Sequence, residues 1–304
     1  MNLATAIQQL SQEAILKQQR VRTRLAPTPS GFLHQGNLYN FILNWWLARA
    51  ASGSVLLRID DLDRQRVRTA YVDFIYRCLD WLELDWDEGP GSPYDLNSQW
   101  SQEHRLPIYR ALLQRMQNYK LLYACHCSRA SRSLKPCACR YQEPLQQQKE
   151  ANIKLAMPEE MDICDKDSVS GVLLRFQDKP EDPMVWKKND TPAYHLASVA
   201  DDLHFQVSHV IRGADLIPST LIQKQLAHLA NLPAFEEVSI GHHPLLHDAQ
   251  GHKLSKSAGS RSVKPALQED PGSFLRAFAA WAGLPHADQI QRITDILQIP
   301  VDKC

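Results

Sequence analysis

The sequence predicts a parallel α/β fold interrupted by an inserted subdomain and closed by a short helical segment. Three observations carry this. Residues 21–61 read as strand, helix and strand. The passage 105–190 loses that pattern and becomes basic and cysteine-rich, then proline- and aspartate-rich. From Tyr194 the strand and helix signals resume. Apolar strands joined by a buried helix close as a right-handed parallel pair, so both halves fit one sheet.

In MNLATAIQQLSQEAILKQQR, Leu3, Ile7, Leu10 and Ala14 recur at helical spacing, which predicts a short amphipathic helix. Glutamines interrupt any apolar run there, so an amphipathic helix is expected rather than a signal peptide. Val21–Pro27 then reads as a strand and PSGFLHQGN as a turn. Leu38–Ala50 reads as a well-buried helix and Ser54–Asp61 as the second strand. Ala70–Leu82 is the next helix, with Val72, Ile75, Leu79 and Leu82 on one face. After the insertion come a strand at Ser208–Arg212, a helix at Thr220–Leu232 and a strand at Val238–Ile240. The expected organisation is a helical extension (1–20), the first half of the sheet domain (21–104) and the insertion (105–190). The second half (191–245) and a loop with C-terminal helices (246–304) follow.

Lysine plus arginine and aspartate plus glutamate each number 34, so the formal net charge is zero, which argues against a protein that coats nucleic acid non-specifically. The basic residues are unevenly placed. No acid falls between His104 and Gln142, where Arg105, Arg110, Arg115, Lys120, Arg129, Arg132, Lys135 and Arg140 lie. None falls between Ala249 and Gln268, which holds Lys253, Lys256, Arg261 and Lys264. A phosphate-bearing partner is expected at these two stretches, against the alternative that they are solvated faces. The apolar run Phe41–Ala51 is broken by Asn44 and Arg49 and is too short to span a membrane, so a cytoplasmic protein is expected.

Two segments carry candidate chemistry. In Arg24-Leu-Ala-Pro-Thr-Pro-Ser-Gly-Phe-Leu-His-Gln-Gly-Asn37, prolines stiffen a turn, and Gly31 and Gly36 allow backbone to approach a ligand. The helix start behind it offers unpaired N–H groups suited to a triphosphate, and His34 can donate to a phosphate oxygen. In Gly251-His-Lys-Leu-Ser-Lys-Ser257, two lysines among small residues make a cationic loop able to offset charge as pyrophosphate leaves. Each segment alone is compatible with a structural turn or a surface loop. Four cysteines, Cys125, Cys127, Cys137 and Cys139, fall within fifteen residues of a cytosol-type sequence. They suit a tetrahedral structural Zn2+, with chance clustering of thiols as the alternative. Cys78, Cys164 and Cys304 stand apart.

Together, the HxGN and KLSKS segments resemble the "HIGH" and "KMSKS" motifs of class I aminoacyl-tRNA synthetases, which grip ATP from opposite sides. VRTRLAPTPSGFLHQGN, LLRIDDLDR, LDWDEGP, AYHLASVADD, VIRGADLIPST and HKLSKSAG, in this order between Val21 and Ser260, resemble the glutamyl branch. The resemblance implies a Rossmann-like parallel sheet with an inserted zinc-binding subdomain, and an enzyme that activates L-glutamate with Mg2+-bound ATP for transfer to tRNA. It implies that Arg24 pairs with the γ-carboxylate of glutamate, a task suited to a guanidinium fork. Ala26, Pro27 and Thr28 would line the same pocket, Asp60 would hold the α-ammonium, Tyr194 would flank it and Arg212 would give the second carboxylate contact. His34, Lys253 and Lys256 would be catalytic, and His34, Gly36, Asn37 and Lys256 would bind ATP. Asp61 and Asp63 are expected to cap a turn.

Asp60 stands where the family usually has Glu. It is shorter by one methylene, about 1.5 Å, and glutaminyl relatives carry an acid of this kind. Asn37 replaces the last histidine of HIGH. The short glutamyl-Q tRNA(Asp) synthetases carry a zinc site beginning with the same Cys-x-Cys. Their third ligand is often tyrosine; here it is Cys137, with Tyr141 a weaker substitute. The expectation is a monomer without an anticodon-reading domain that places glutamate on the queuosine of tRNA(Asp). An acceptor-stem glutamyl-tRNA ligase and a non-catalytic tRNA- or partner-binding paralogue are the alternatives.

Overall fold

The computed structural model describes residues 2–127, 137–141, 151–160, 164–178, 180–246 and 262–299. Two parallel strand pairs form the platform. In the first, β1 (Arg22–Leu25) pairs with β2 (Ser54–Leu57), Arg22 opposite Ser54. The ladder reaches past both strands through Arg58 N to Leu25 O (2.8 Å) and Asp60 N to Pro27 O (2.9 Å). This brings the Ala26–Pro27 backbone beside Asp60.

The insertion carries β3 (Leu122–Cys125), β4 (Asn152–Leu155), β5 (Cys164–Lys166), β6 (Leu173–Arg175), β7 (Met184–Lys187) and β8 (Thr191–Pro192). β3, β4, β7 and β8 form an antiparallel sheet in that order, and β5 and β6 form a separate hairpin. The second parallel pair is β9 (His209–Gly213) with β10 (Ser239–His243).

The two parallel pairs abut along β1 and β9, where Ser208 N donates to Arg22 O at 2.9 Å. Further along, a side chain takes the place of the ladder. Asn44, fully buried in the helix Gln35–Ala50, accepts from Ile211 N (3.0 Å) and donates to Ile211 O (2.8 Å). A buried peptide group needs both partners, and one amide supplies them. The apparent break in Phe41–Ala51 is therefore a structural bolt.

The helix Gln35–Ala50 is buried on nearly every side because it lies between the sheet and both chain ends. The first helix, Leu3–Leu16, buries Leu3, Ala4, Ala6, Ile7 and Ala14 in the main core, so it is an integral layer rather than an appendage. Its N-cap Asn2 accepts from Thr5 N at 2.8 Å and donates to Gly283 O at 3.1 Å, tying it to the C-terminal helix Gly272–Ala282. Phe274, Phe278 and Trp281 of that helix pack around the Tyr39 ring.

Helix limits shift by a few residues from the sequence expectation for local reasons. The helix expected at Thr220–Leu232 spans Ile217–Leu229, with a proline in its first turn, and Asn231 at φ 53° turns the chain out of it. Helix Leu106–Asn118, inside the stretch expected as the insertion, and helix Tyr194–His204, just after it, build a second core with Tyr109, Met116, Leu196 and Val199. Among the described residues, no helix is long and apolar enough to cross a membrane.

Candidate active site and metal centre

His34 is the N-cap of the helix Gln35–Ala50. Its own N–H donates to Asn37 Oδ1 at 3.1 Å, and Asn37 N donates to His34 O at 2.9 Å. Asn37 thus closes a capping box, the structural task of this side chain. A Cβ on Gly36 would sit 3.2 Å from the imidazole, so glycine leaves room for the ring against the first turn. Phe32 packs edge-on against Tyr71 and Phe74, and the Lys264 ammonium lies 3.3 Å from its ring centroid. Val263 N donates to Leu33 O at 3.2 Å. The residues following KLSKS are therefore fastened to the His34 turn. Lys253 and Lys256 lie outside the described residues.

At the carboxyl ends of β1 and β2 a dense ionic cluster gathers. Arg58 grips both Asp60 oxygens at 2.7 and 3.1 Å, and its other nitrogen reaches Asp202 Oδ1 at 2.6 Å. Arg24 Nε donates to the same Asp202 oxygen at 3.2 Å. Asp201 accepts from Arg105 Nε (2.7 Å), Tyr109 Oη (2.8 Å) and Gln102 Nε2 (2.9 Å). Three arginines thus meet three aspartates. Burial pushes the Asp60 carboxyl up, against the pull of Arg58. Burial also acts to raise Asp201, but Arg58 and Arg105 outweigh it and hold that carboxyl below its ordinary value. Asp61 accepts from Ser101 Oγ and Gln102 N, so it holds the start of a distant helical turn rather than a local one, and it pairs with Arg64 at 2.7 Å. Pro27 is buried in the turn while Thr28 is exposed.

Arg212, on β9, is different. It is 4 % exposed, yet no carboxylate lies within ion-pair distance among the described residues. Nη1 donates to Gln223 Oε1 at 2.9 Å and Nη2 to Thr220 Oγ1 at 2.6 Å, both neutral, and Nε has no partner. Burial, with Arg24's positive charge, draws its pKa below the ordinary guanidinium value despite favourable contact with Tyr194 and Asp202. Tyr194 opens the helix Tyr194–His204 and is 45 % exposed, so it is a rim residue rather than a core aromatic. Its neighbour His195 is pushed down to about 4 by burial and by the charge of Arg212.

In the insertion, the Cys125, Cys127, Cys137 and Cys139 sulfurs all lie within 4.8 Å of one another. Cys125–Cys137 and Cys127–Cys137 are 3.7 Å apart and Cys127–Cys139 3.6 Å. A tetrahedral Zn–S bond of about 2.3 Å sets sulfur–sulfur edges of about 3.8 Å, so the four thiols fit one zinc ion. Cys137 lies with the other three thiols, whereas Tyr141 is 82 % exposed.

Much of the basic stretch after His104 is committed internally. Arg105 is buried on Asp201, Arg110 pairs with Asp190, and Arg140 lies near Asp182 and Glu159. Arg115 donates to the Ala230 and Asn231 carbonyls. Lys120, the remaining described lysine or arginine of this stretch, lies in the turn after the helix Leu106–Asn118. Arg129, Arg132, Lys135 and Arg261 lie outside the described residues.

A family model described as tRNA synthetases class I (E and Q), catalytic domain, matches residues 20–294. The chain belongs to this family. A glutamate–tRNA ligase of Dehalococcoides mccartyi is 33 % identical over 80 % of this chain and 52 % of its own length. The chain thus spans about half the length of such relatives. A glutamyl-Q tRNA(Asp) synthetase of Symbiobacterium thermophilum is 35 % identical over 91 % of each chain. Among solved structures, a glutamate–tRNA synthetase from Elizabethkingia anophelis shares the fold with a TM-score of 0.77 at 22 % identity, over 93 % of this chain and 66 % of that one.

Within this class I fold, sequence reasoning missed Arg58, Asp201, Asp202, Thr220, Gln223 and His195. A signal for the acids existed in the sequence. Asp201 and Asp202 fall on the buried side of a helix, flanked by Val199, Ala200 and Leu203, which is unusual for unpaired carboxylates.

Proposed function

We propose that this chain activates L-glutamate with Mg2+-bound ATP to glutamyl adenylate and passes the glutamyl group to tRNA, with queuosine of tRNA(Asp) as acceptor. The observation that carries the amino-acid reading is Arg212, a buried guanidinium held by two neutral acceptors with no carboxylate of its own among the described residues. An unmatched buried cation is costly, and an anionic ligand relieves the cost. Arg24, half-neutralised by sharing Asp202 with Arg58, assists at the same pocket. A dicarboxylic amino acid fits such a site, and glutamine leaves the charge unmet.

In this reading Asp60, oriented by Arg58, and Tyr194 hold the substrate ammonium, and Ala26, Pro27 and Thr28 line the pocket. Asp60 is steadied from below by Arg58, which offsets its shorter reach. The substrate α-carboxylate attacks the α-phosphorus of ATP in line and pyrophosphate leaves, a step that needs positioning and charge neutralisation. His34, Gly36 and the helix N-terminus receive the phosphates, while Lys253 and Lys256 offset the charge of the departing pyrophosphate. Asn37 acts by fixing the His34 turn. The four cysteines hold one structural Zn2+, which has no open position and organises the insertion for tRNA.

The acceptor reading is supported by the glutamyl-Q tRNA(Asp) synthetase relative, similar over nine tenths of both chains. Mass spectrometry of nucleosides from tRNA incubated with protein, glutamate and ATP tests it. Glutamylated queuosine is the expected product. A second reading, esterification of the terminal adenosine of tRNA(Glu), is favoured by relatives named glutamate–tRNA ligase. Efficient charging of tRNA(Glu) lacking queuosine would establish it instead.

A further inference from the structure

Arg212 is the end of a buried chain of hydrogen bonds that begins in the insertion. Its Nη2 donates to Thr220 Oγ1 at 2.6 Å, and Thr220 Oγ1 meets His242 Nε2 at 2.7 Å. His242 Nδ1 meets Asp167 Oδ2 at 2.5 Å. Thr220, His242 and Asp167 are all nearly inaccessible to solvent. Asp167 sits at the turn of the hairpin formed by β5 and β6, and its other oxygen accepts from Val169 N (3.0 Å) and Ser170 N (2.7 Å).

We propose that Asp167 is a positioning residue for Arg212, acting through His242 and Thr220, so that seating of the inserted hairpin fixes the carboxylate receptor of the pocket. This rests on the reading of Arg212 as a receptor for a substrate carboxylate, the second such contact beside Arg24.

The proton inventory supports the assignment. Thr220 has one hydroxyl proton and two candidate acceptors, His242 Nε2 at 2.7 Å and Leu216 O at 3.2 Å. Asp167 holds the imidazole proton at Nδ1, which leaves Nε2 as an acceptor. Nε2 then takes the Thr220 proton, and a hydroxyl lone pair is turned toward Arg212. Burial acts to raise Asp167, but His242 and the turn N–H groups outweigh it and keep its carboxyl below the ordinary value. The anion is thereby held two residues away from the guanidinium. A carboxylate in the place of Thr220 would orient Arg212 equally well but would neutralise it. The relay orients the receptor and leaves its charge available.

Docking of the hairpin is built into the sheet. Ser168 N donates to Ile240 O at 3.0 Å, and Val169 is buried in the main core. A Cβ on Gly241 would lie 2.5 Å from Val169 Cγ2 and 2.6 Å from Ser168 Oγ, so only glycine admits the turn at this distance. Lys224 adds an ion pair to Asp165 at 3.5 Å.

The test uses the full chain and calorimetric binding of L-glutamate in the presence of a non-hydrolysable ATP analogue, with the analogue alone titrated in parallel. Asp167→Asn keeps a carbonyl oxygen for the turn but offers an N–H group to His242, and Thr220→Val removes the hydroxyl. Each is expected to weaken glutamate binding about tenfold, the scale of one hydrogen bond to a charged group. Analogue binding should stay within about twofold in the same measurements. Because the residues act in series, the double variant should bind no more weakly than the weaker single, rather than about a hundredfold below wild type.

Multiplying effects, or parallel loss of both ligands with a lowered Tm, would overturn the relay. Arg212→Gln separates the two claims. If it abolishes glutamate binding while both relay variants bind as wild type does, the relay fails and the receptor reading stands. If Arg212→Gln retains wild-type affinity, the receptor reading fails and the relay with it.

Discussion

Lowering the pH from 7 to 5 should destabilise the protein through His195, and the size of the effect follows from its surroundings. The imidazole is pushed down from its ordinary 6.5 to about 4, first by burial and then by the charge of Arg212. Its folded pKa lies below the unfolded one, so the unfolded chain binds more protons between these values. Its contribution is therefore intact above pH 6.5 and is lost as the pH falls toward 4. Between pH 7 and 5 the two titrations differ by about 2 kcal/mol for this one group. For a chain of this size that corresponds to a fall in Tm of about 4 °C. His209 and His243 are also pushed down by burial, so wild type alone cannot isolate the effect. Comparison with His195→Gln does, because those groups remain in both proteins. Thermal unfolding followed by circular dichroism at pH 7, 6 and 5 should show the variant losing less stability than wild type. Parallel Tm curves for the two proteins would refute the assignment of a half-buried neutral histidine beside Arg212.

Arg212→Gln should abolish glutamate-dependent pyrophosphate exchange while the protein still binds an ATP analogue, because the substitution removes the uncompensated cation and leaves the helix start untouched. Gly241→Ala should lower stability by about 1–3 kcal/mol, the cost of forcing a methyl group into a packed contact, with Tm as the readout and zinc content as the control. Purified protein should carry one equivalent of zinc by elemental analysis, and less than half an equivalent without chelator treatment counts against the site. Cys139→Ser should reduce transfer to tRNA more than it reduces exchange, since the four thiols belong to the insertion and not to the ionic cluster of the pocket.

The elements of the sheet were legible because each is a short β-prone run next to a turn: Val21–Leu25, where arginines alternate with Val, Thr and Leu, before two prolines, and the apolar Ser54–Leu57 after Gly53. The cysteine cluster was legible from spacing alone, since Cys-x-Cys pairs bring sulfurs together over few residues. The strands of the insertion were not. Cys164–Lys166 and Leu173–Arg175 span three residues each and show no alternation long enough to register as a period. The partner of Arg24 was hidden for a different reason. Asp202 lies far along the chain; its apolar neighbours hint at burial, but no spacing shows that its partners are Arg58 and Arg24. The hold on Arg212 was equally illegible, because Thr220, Gln223, His242 and Asp167 come from a helix, a strand and the insertion. The basic stretch after His104 misleads in the opposite direction. Arg105, Arg110 and Arg115 make internal contacts that no count of charges reveals.

Pyrophosphate exchange into ATP, measured with glutamate, with glutamine and with neither, and with and without total tRNA, tests the central claim most directly. An unmatched buried guanidinium, with the helix start at His34 proposed to receive ATP, predicts exchange that depends on glutamate, with glutamine at least about a hundredfold less effective. Equal exchange with glutamine, or none with glutamate even when tRNA is added, would contradict the account.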